Sequence, residues 1–327
     1  MTNQGYGRYC LETGCTIRLR PYPRPYRRSY PRPYRRPRRG TGVTRAVPWG
    51  TMTGMPRIMV NGVDLHYSDL PAPRADSGPA LLLVHGWGGD GGEWEPHRRA
   101  WAGRRRVLVP DLRGHGASAA PPDGYGPRDF AADLAGLLDA LGTGPVIAVG
   151  HSMGGQAVTA LAVEHPRLVR ALVVLDPAYG ADAAEAARLP GEQAALRAEG
   201  APWAVRFVGG AFRTGTHTEA RARHERLMAA MDPEVLLRCR DGMYLAPDAF
   251  GLRPAARRYL ARRRCPVLGV YSHPAGADWE RATDAPAGSR TELWAGHGHF
   301  LHEEDPGRLV ALVDDWSAGP AATAPAP

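Results

Sequence analysis

The residues best equipped for chemistry lie in Val146–Gly155, VIAVGHSMGG, which reads as a short apolar strand, a turn and the start of a helix. At its tip Gly150, His151, Ser152, Met153 and Gly154 spell G-x-S-x-G. A serine hydroxyl is a poor nucleophile unless it is exposed, close to a base and close to donors that hold an oxyanion. A sharp strand-to-helix turn meets the first need by holding the serine in a strained, protruding backbone, and small flanking residues let the neighbouring chain pass. The turn also aims the N–H groups of the following helix, and their partial positive charge, at the reacting centre.

A second glycine pattern competes. Gly86-Trp87-Gly88-Gly89-Asp90-Gly91 fits G-x-G-x-x-G after a strand, and Asp111 ends the next strand about 20 residues on, the spacing of a dinucleotide fingerprint. Three features oppose that reading. A hairpin precedes the loop, Pro96 interrupts the following helix, and the serine turn sits two strands further along. A glycine loop there serves equally well to bring backbone N–H groups near a carbonyl oxygen.

The elements around these motifs alternate. Arg57–Ser68 gives two segments about Asn61-Gly62, the pair that suits a two-residue hairpin. Strands follow at Ala80–Val84 and Arg106–Pro110, with a helix patterned on Trp94 and Trp101 between them. Phe130–Leu141 has helical spacing and is closed by Gly142; the serine strand, helix Gly154–Glu164 and strand Leu172–Leu175 come next. Such alternation implies a mostly parallel sheet whose loops at the strands' carboxyl ends carry the site. From Pro177 to about Arg253 the rhythm stops, and the Ala-, Arg- and Glu-rich pattern predicts a helical insertion over the sheet. Strand Cys265–Ser272, a short helix around Trp279, strand Thr291–Trp294 and helix Pro306–Trp316 complete the domain. The predicted division is thus a core of 56–176 and 256–317, a helical cap of 177–255 and a disordered tail of 318–327.

Composition narrows the function classes. All 41 basic residues are arginine, and 43% of the chain is hydrophobic, ample for a large core. The net charge of +8 is misleading, because residues 1–50 hold twelve arginines and one acid (+11), leaving −3 for the remainder. Residues 17–39, rich in Pro, Tyr and Arg, cannot pack a core, so 1–55 is expected to be disordered. Arginine with interleaved tyrosine suits an anionic partner such as nucleic acid. The plainer reading is a mis-assigned start, with translation from Met52 or Met55. Cys10, Cys15, Cys239 and Cys265 are too few and scattered for a disulfide framework, and no metal or cofactor motif accompanies them. No apolar run approaches the ~20 residues of a membrane span, and no signal-peptide pattern opens the chain. The cytoplasm is the default location.

The ordered set HGWGG, DLRGHGAS, GHSMGG and GHFLHEEDP resembles the α/β-hydrolase superfamily, in its serine-hydrolase branch with a helical cap, over Pro56–Ser317. The resemblance implies an eight-stranded sheet with only the second strand antiparallel, helices on both faces, and a Ser–acid–His triad without a cofactor. Ser152 takes the nucleophile's place. Three histidines are near the base's place, His297, His299 and His302. The family sets this histidine after a small residue and before an apolar one, which fits His299, with His297 as the fallback; His302 is expected on the rim or at the start of the last helix. The acid departs from the usual Gly-x-x-Asp. The loop after Val267–Tyr271 reads SHPAGADWE, whose aspartate, Asp278, also suits a helix cap. Some branches use a carboxylate at the end of the preceding strand, where Asp176 stands; Asp176 is favoured and Asp278 is the alternative. Oxyanion donors are expected from the backbone N–H of Trp87 and Met153, with His85 steadying the loop and His115 and His151 structural. Serine at the nucleophile position sets the chain apart from epoxide hydrolases and haloalkane dehalogenases of this fold, which use aspartate. Trp203, Phe207, Phe212, Met228 and Tyr244 would furnish an apolar pocket. The function expected is hydrolysis of a small or medium carboxylic ester through an acyl-enzyme. C–C bond hydrolysis, cofactor-free perhydrolase chemistry, or a ligand-binding protein with little turnover are the alternatives.

Overall fold

The computed structural model describes residues 56–74, 77–213 and 218–319. The Arg-rich segment 1–55 and residues 320–327 of the expected tail lie outside the described residues. Asn61 and Gly62, at φ 49° and 77°, turn β1 (Arg57–Val60) into β2 (Val63–Leu70), the left-handed pair a tight hairpin requires. β3 (Leu81–Val84), β4 (Val107–Pro110), β5 (Val146–His151), β6 (Val169–Leu175), β7 (Val267–Tyr271) and β8 (Arg290–Leu293) complete one sheet in the order β1-β2-β4-β3-β5-β6-β7-β8. Only β2 runs against its neighbours. This is the α/β-hydrolase fold expected from the motifs.

Strands β3, β4, β5 and β7 are buried at every residue, because helices cover both faces. Leu82 and Val84 face one core, with α2 (Pro127–Leu141) and α3 (Met153–Glu164). Leu81 and Leu83 face the other, with Trp94 and Trp101 of the first helical segment and Trp316 of the last helix. Pro96 does not break that first segment. It sits in the first turn of α1 (Glu95–Trp101), where its missing N–H is no loss, after a 3-10 turn at Gly91–Trp94.

Between β6 and β7 the chain is helical: α4 (Ala183–Glu199), α5 (Ala201–Gly209), α6 (Thr218–Ala230), α7 (Pro233–Arg240), a π-turn at Asp241–Leu245 and α8 (Arg253–Leu260). Leu196, Ala204, Val208, Phe212, Met228 and Leu236 form a separate apolar cluster there. α8 straddles the expected boundary at 255, and its Ala256, Tyr259 and Leu260 join the core under the sheet. After β7 come α9 (Pro274–Arg281), β8, α10 (Leu301–Glu304) and α11 (Pro306–Ala318). α9 begins earlier than the sequence implies. Its cap is His273, whose Nδ1 accepts from Gly276 N at 3.1 Å, with Pro274 opening the helix.

Candidate active site

Ser152 stands between β5 and α3 at φ 51°, ψ −116°, a strained conformation for a residue with a side chain. Hydrogen bonds over-determine it: its N–H donates to Leu175 O at 2.9 Å, and its carbonyl accepts from Ala178 N at 2.9 Å and Gln156 N at 3.2 Å. The flanking glycines are steric necessities. A Cβ on Gly150 would lie 2.3 Å from Gly154 O, and one on Gly154 would lie 2.3 Å from Val84 O. The crossing of β5, α3 and β3 leaves no room for a methyl group.

Asp176 follows β6 at φ 37° and is only 5% exposed. Its Oδ1 accepts from Ser272 N at 2.8 Å and its Oδ2 from Ser272 Oγ. The same Oδ2 lies 3.5 Å from His299 Nδ1. Burial alone would raise this carboxyl's pKa, but the bond and charge of His299, together with the two Ser272 donors, hold it below its ordinary value.

His299 is fixed through its backbone on three sides. Its N–H donates to Ala211 O at 3.1 Å, its carbonyl accepts from His151 Nε2 at 3.0 Å, and the preceding Gly298 N–H donates to Glu304 Oε1 at 2.8 Å. Its ring is half-buried, so it faces both the acid and the open side. Ser152, Asp176 and His299 line one cavity of about 570 Å³, with Trp87, Phe207, Arg240 and Tyr244 on its walls. His85 holds the Trp87 loop as expected, through Nδ1 to Gly86 O at 2.8 Å and Leu112 N to Nε2 at 3.0 Å. Met153 is the first residue of α3, adjoining Ser152.

Several expected residues stand elsewhere. Asp278 lies inside α9 with a side chain 71% exposed, paired with Arg281 at 2.9 Å, and it does not line the cavity. It neither caps that helix nor faces His299, because α9 starts at Pro274. Phe212 and Met228 are buried in the apolar cluster of the helical segment and Phe300, Phe212 stacking on Phe300 at 4.3 Å. Trp203 stacks on Phe207 at 4.9 Å and is not among the residues on the cavity wall. Phe207 and Tyr244 do line it. His302 is fully buried rather than on the rim, because its Nε2 meets Glu93 Oε1 at 3.0 Å. His297 contacts the Trp294 carbonyl, 3.3 Å from Nδ1. The dinucleotide reading is lost: Asp111, which a ribose would need, is 4% exposed and already binds Gly91 N, Ala117 N and His66 Nδ1 at 2.7–2.9 Å.

Sequence reasoning missed three side chains. Ser272 clamps the Asp176 carboxylate. Arg240, 5% exposed, places its guanidinium 5.0–5.6 Å from the rings of Trp87, Trp203 and Phe207. Glu93 is fully buried, and its Oε1 lies 2.8 Å from His151 Nδ1 and 3.0 Å from His302 Nε2. Among the described residues, Glu93 with His151 and His302, and Glu93 with His224 and Glu303, are the groups that could hold a metal ion. The Glu93 contacts have hydrogen-bond lengths, shorter than the roughly 3.3 Å between atoms sharing a tetrahedral zinc ion.

The model of the α/beta hydrolase fold family matches residues 79–247. The chain belongs to the α/β-hydrolase family. It is 37% identical over 114 residues to a 2-(acetamidomethylene)succinate hydrolase from Mesorhizobium japonicum, spanning 35% of this chain and 41% of that enzyme. A match to an uncharacterized protein of Mycobacterium tuberculosis is longer, 29% over 275 residues, covering 73% of this chain and 75% of the other. Among solved structures, the enol-lactonase from Burkholderia xenovorans LB400 aligns with TM-score 0.69 and 24% identity over 81% of this chain and 100% of its own. A thermophilic esterase from Thermogutta terrifontis aligns at 0.67 with 23% identity, over 81% and 98%. The chain spans less than half the length of the first of these relatives, and the two structures, both under 25% identical, show the fold. Among the described residues no helix is long and apolar enough to cross a membrane.

Proposed function

We propose that this α/β-hydrolase cleaves carboxylic esters of small or medium substrates through an acyl-enzyme. Ser152 is the nucleophile, His299 the base and Asp176 the acid. In this reading His299 accepts the Ser152 proton through Nε2, while Asp176 holds the Nδ1–H and stabilises the imidazolium that forms. The serine oxygen bonds to the acyl carbon, and the developing oxyanion sits on the backbone N–H groups of Trp87 and Met153, worth a few kcal/mol each when aimed at it. His299 then protonates the leaving alcohol, and water enters by the same route in reverse. Substrate choice rests with the helical segment 177–255 acting as a cap, since Phe207, Arg240 and Tyr244 bring its side chains to the cavity.

The observation that carries the reading is the strained Ser152, held by three backbone hydrogen bonds on a cavity it shares with a buried Asp176 and the half-buried His299 beside it. Asp176 standing 3.5 Å from His299 supports turnover over the alternative of a protein that only binds its ligand. The test is a panel of 4-nitrophenyl esters of increasing acyl length, run against wild type and Ser152→Ala. Turnover that saturates with short or medium acyl groups and vanishes in Ser152→Ala is expected. Equal rates in the two proteins overturn the assignment.

A further inference from the structure

Glu93 lies behind the cavity and touches both halves of the proposed machinery. Its Oε2 accepts from Gly86 N at 3.1 Å, immediately before the Trp87 oxyanion donor. Its Oε1 faces His151 Nδ1 at 2.8 Å and His302 Nε2 at 3.0 Å. The other nitrogen of His151, Nε2, stands 3.0 Å from the carbonyl oxygen of His299. Both nitrogens of one buried imidazole therefore face oxygens, a carbonyl that only accepts and a carboxylate that only accepts while ionised. A neutral imidazole carries a single N–H. A neutral ring beside an ionised Glu93 would set a nitrogen lone pair either against a carboxylate at 2.8 Å or against a carbonyl at 3.0 Å. Unpaired acceptors in contact at zero exposure are costly.

We propose that Glu93 and His151 share one proton beyond those of a carboxylate and a neutral imidazole, and that this protonated pair is a positioning device for the active site. It ties the oxyanion loop, through Gly86, and the base, through the His299 carbonyl, to a single buried anchor. The proposal rests on the reading of His299 as the base. The titratable groups packed on His151 are Glu93 from the 3-10 turn, and His299 and His302 from the segment before α11, with ring centroids 4.7 and 4.5 Å away. Beyond His302 stand Glu303, its partner His224, and Arg223 at 3.2 Å from Glu303. Burial keeps the His302 imidazole below its usual range, so it remains neutral and donates Nε2–H. Burial would raise Glu93, but the contacts to His151 and His302 outweigh it and hold the carboxyl well below its usual range.

When base in the solvent takes the shared proton, His151 keeps one N–H and gives up one of its two bonds. Keeping the Glu93 bond releases the His299 carbonyl, and the base loses its register against Ser152. Misplacement on this scale costs up to about 100-fold in rate. An amide at position 93 behaves differently. Its NH2 can donate to both rings once His302 moves its hydrogen to Nδ1, and its carbonyl can accept from Gly86, with every group neutral.

The test uses the full chain. In wild type, proton NMR at a pH above the ordinary histidine range should show two exchange-protected low-field signals from His151, one per ring contact, and kcat should fall on the alkaline side. In Glu93→Gln the signal of the Glu93 contact should vanish together with the alkaline limb of kcat, leaving the acid limb in place. Glu93→Ala, which cuts both tethers, should lower kcat about 10- to 100-fold with KM little changed. A single low-field signal in wild type, or an alkaline limb unmoved in Glu93→Gln, overturns the proposal. The wild-type spectrum decides the matter even where a variant does not fold. Absence of ester turnover would instead strike the hydrolase reading, and the NMR result would stand apart from it.

Discussion

Replacing Asp176 with asparagine removes one charge and almost no volume. The Asn carbonyl can still accept from Ser272 N, but the NH2 then faces His299 Nδ1 or Ser272 Oγ. The ring is pushed toward the tautomer with its hydrogen on Nε2, the nitrogen that must accept from Ser152. The imidazolium of the transition state also loses its counter-charge. At the observed 3.5 Å, and an effective dielectric of about 20, that attraction is about 5 kcal/mol. Solvent at the half-exposed His299 ring screens part of it. A loss near 4 kcal/mol corresponds to roughly 1000-fold in kcat/KM. The assay is kcat/KM on a 4-nitrophenyl ester, with circular dichroism and melting to show that the variant is folded. Asp278→Asn is the control, and its exposed pair with Arg281 predicts a change within about twofold. An Asp176→Asn enzyme that keeps a tenth of its activity, or an Asp278→Asn enzyme that loses most of it, refutes the assignment.

Other outcomes follow from the same geometry. Gly154→Ala drives a methyl to 2.3 Å from Val84 O, an overpacking against backbone that should cost about 3 kcal/mol or more, read as a lowered Tm or loss of soluble protein. Phe207→Ala, which opens the cavity wall on the side of the helical segment, should raise KM for acyl groups of medium length while kcat on acetate esters changes little. Stability should fall as pH drops from about 6.5. His97 and His115 are pushed down to about 3 by burial, so the unfolded chain takes up protons that the folded one refuses throughout that window. The lowered carboxyls Asp176 and Glu303 add to this at lower pH, since their stabilising contribution is present above the ordinary carboxylate range and lost as pH falls through their folded values. Thermal melts of wild type and His97→Leu at pH 7 and 5 test this; the variant should lose less Tm on acidification, and equal losses contradict the argument.

Most of the scaffold was legible because its signals are local. Fully apolar runs such as Leu81–Val84 mark strands covered on both faces, Asn61-Gly62 marks the hairpin, and the glycines around Ser152 mark a backbone crossing. The proposed acid was harder to read. Asp176 and Ser272 are 96 residues apart and meet only because β6 and β7 pair in parallel. Glu93 was missed outright. In Gly92-Glu93-Trp94-Glu95 it has the pattern of a solvent-facing helix start, and its partners arrive from β5 and α10, distant in sequence. The pocket residues divided as helix packing dictates. Phe212 and Met228 are buried in a cluster that ties the helical segment to Phe300 and the Trp87 loop, while Phe207 and Tyr244 are left for the cavity. Apolar type alone does not separate these two fates.

The central claim is that Ser152 is an activated nucleophile, and the most direct measurement is covalent labelling with a fluorophosphonate followed by peptide mass spectrometry. Such a reagent reacts with a serine whose base and oxyanion donors are already assembled. Stoichiometric phosphonylation of Ser152, abolished in Ser152→Ala and strongly slowed in Asp176→Asn, is the predicted result. A folded protein that stays unmodified, or one labelled on another residue, contradicts the account.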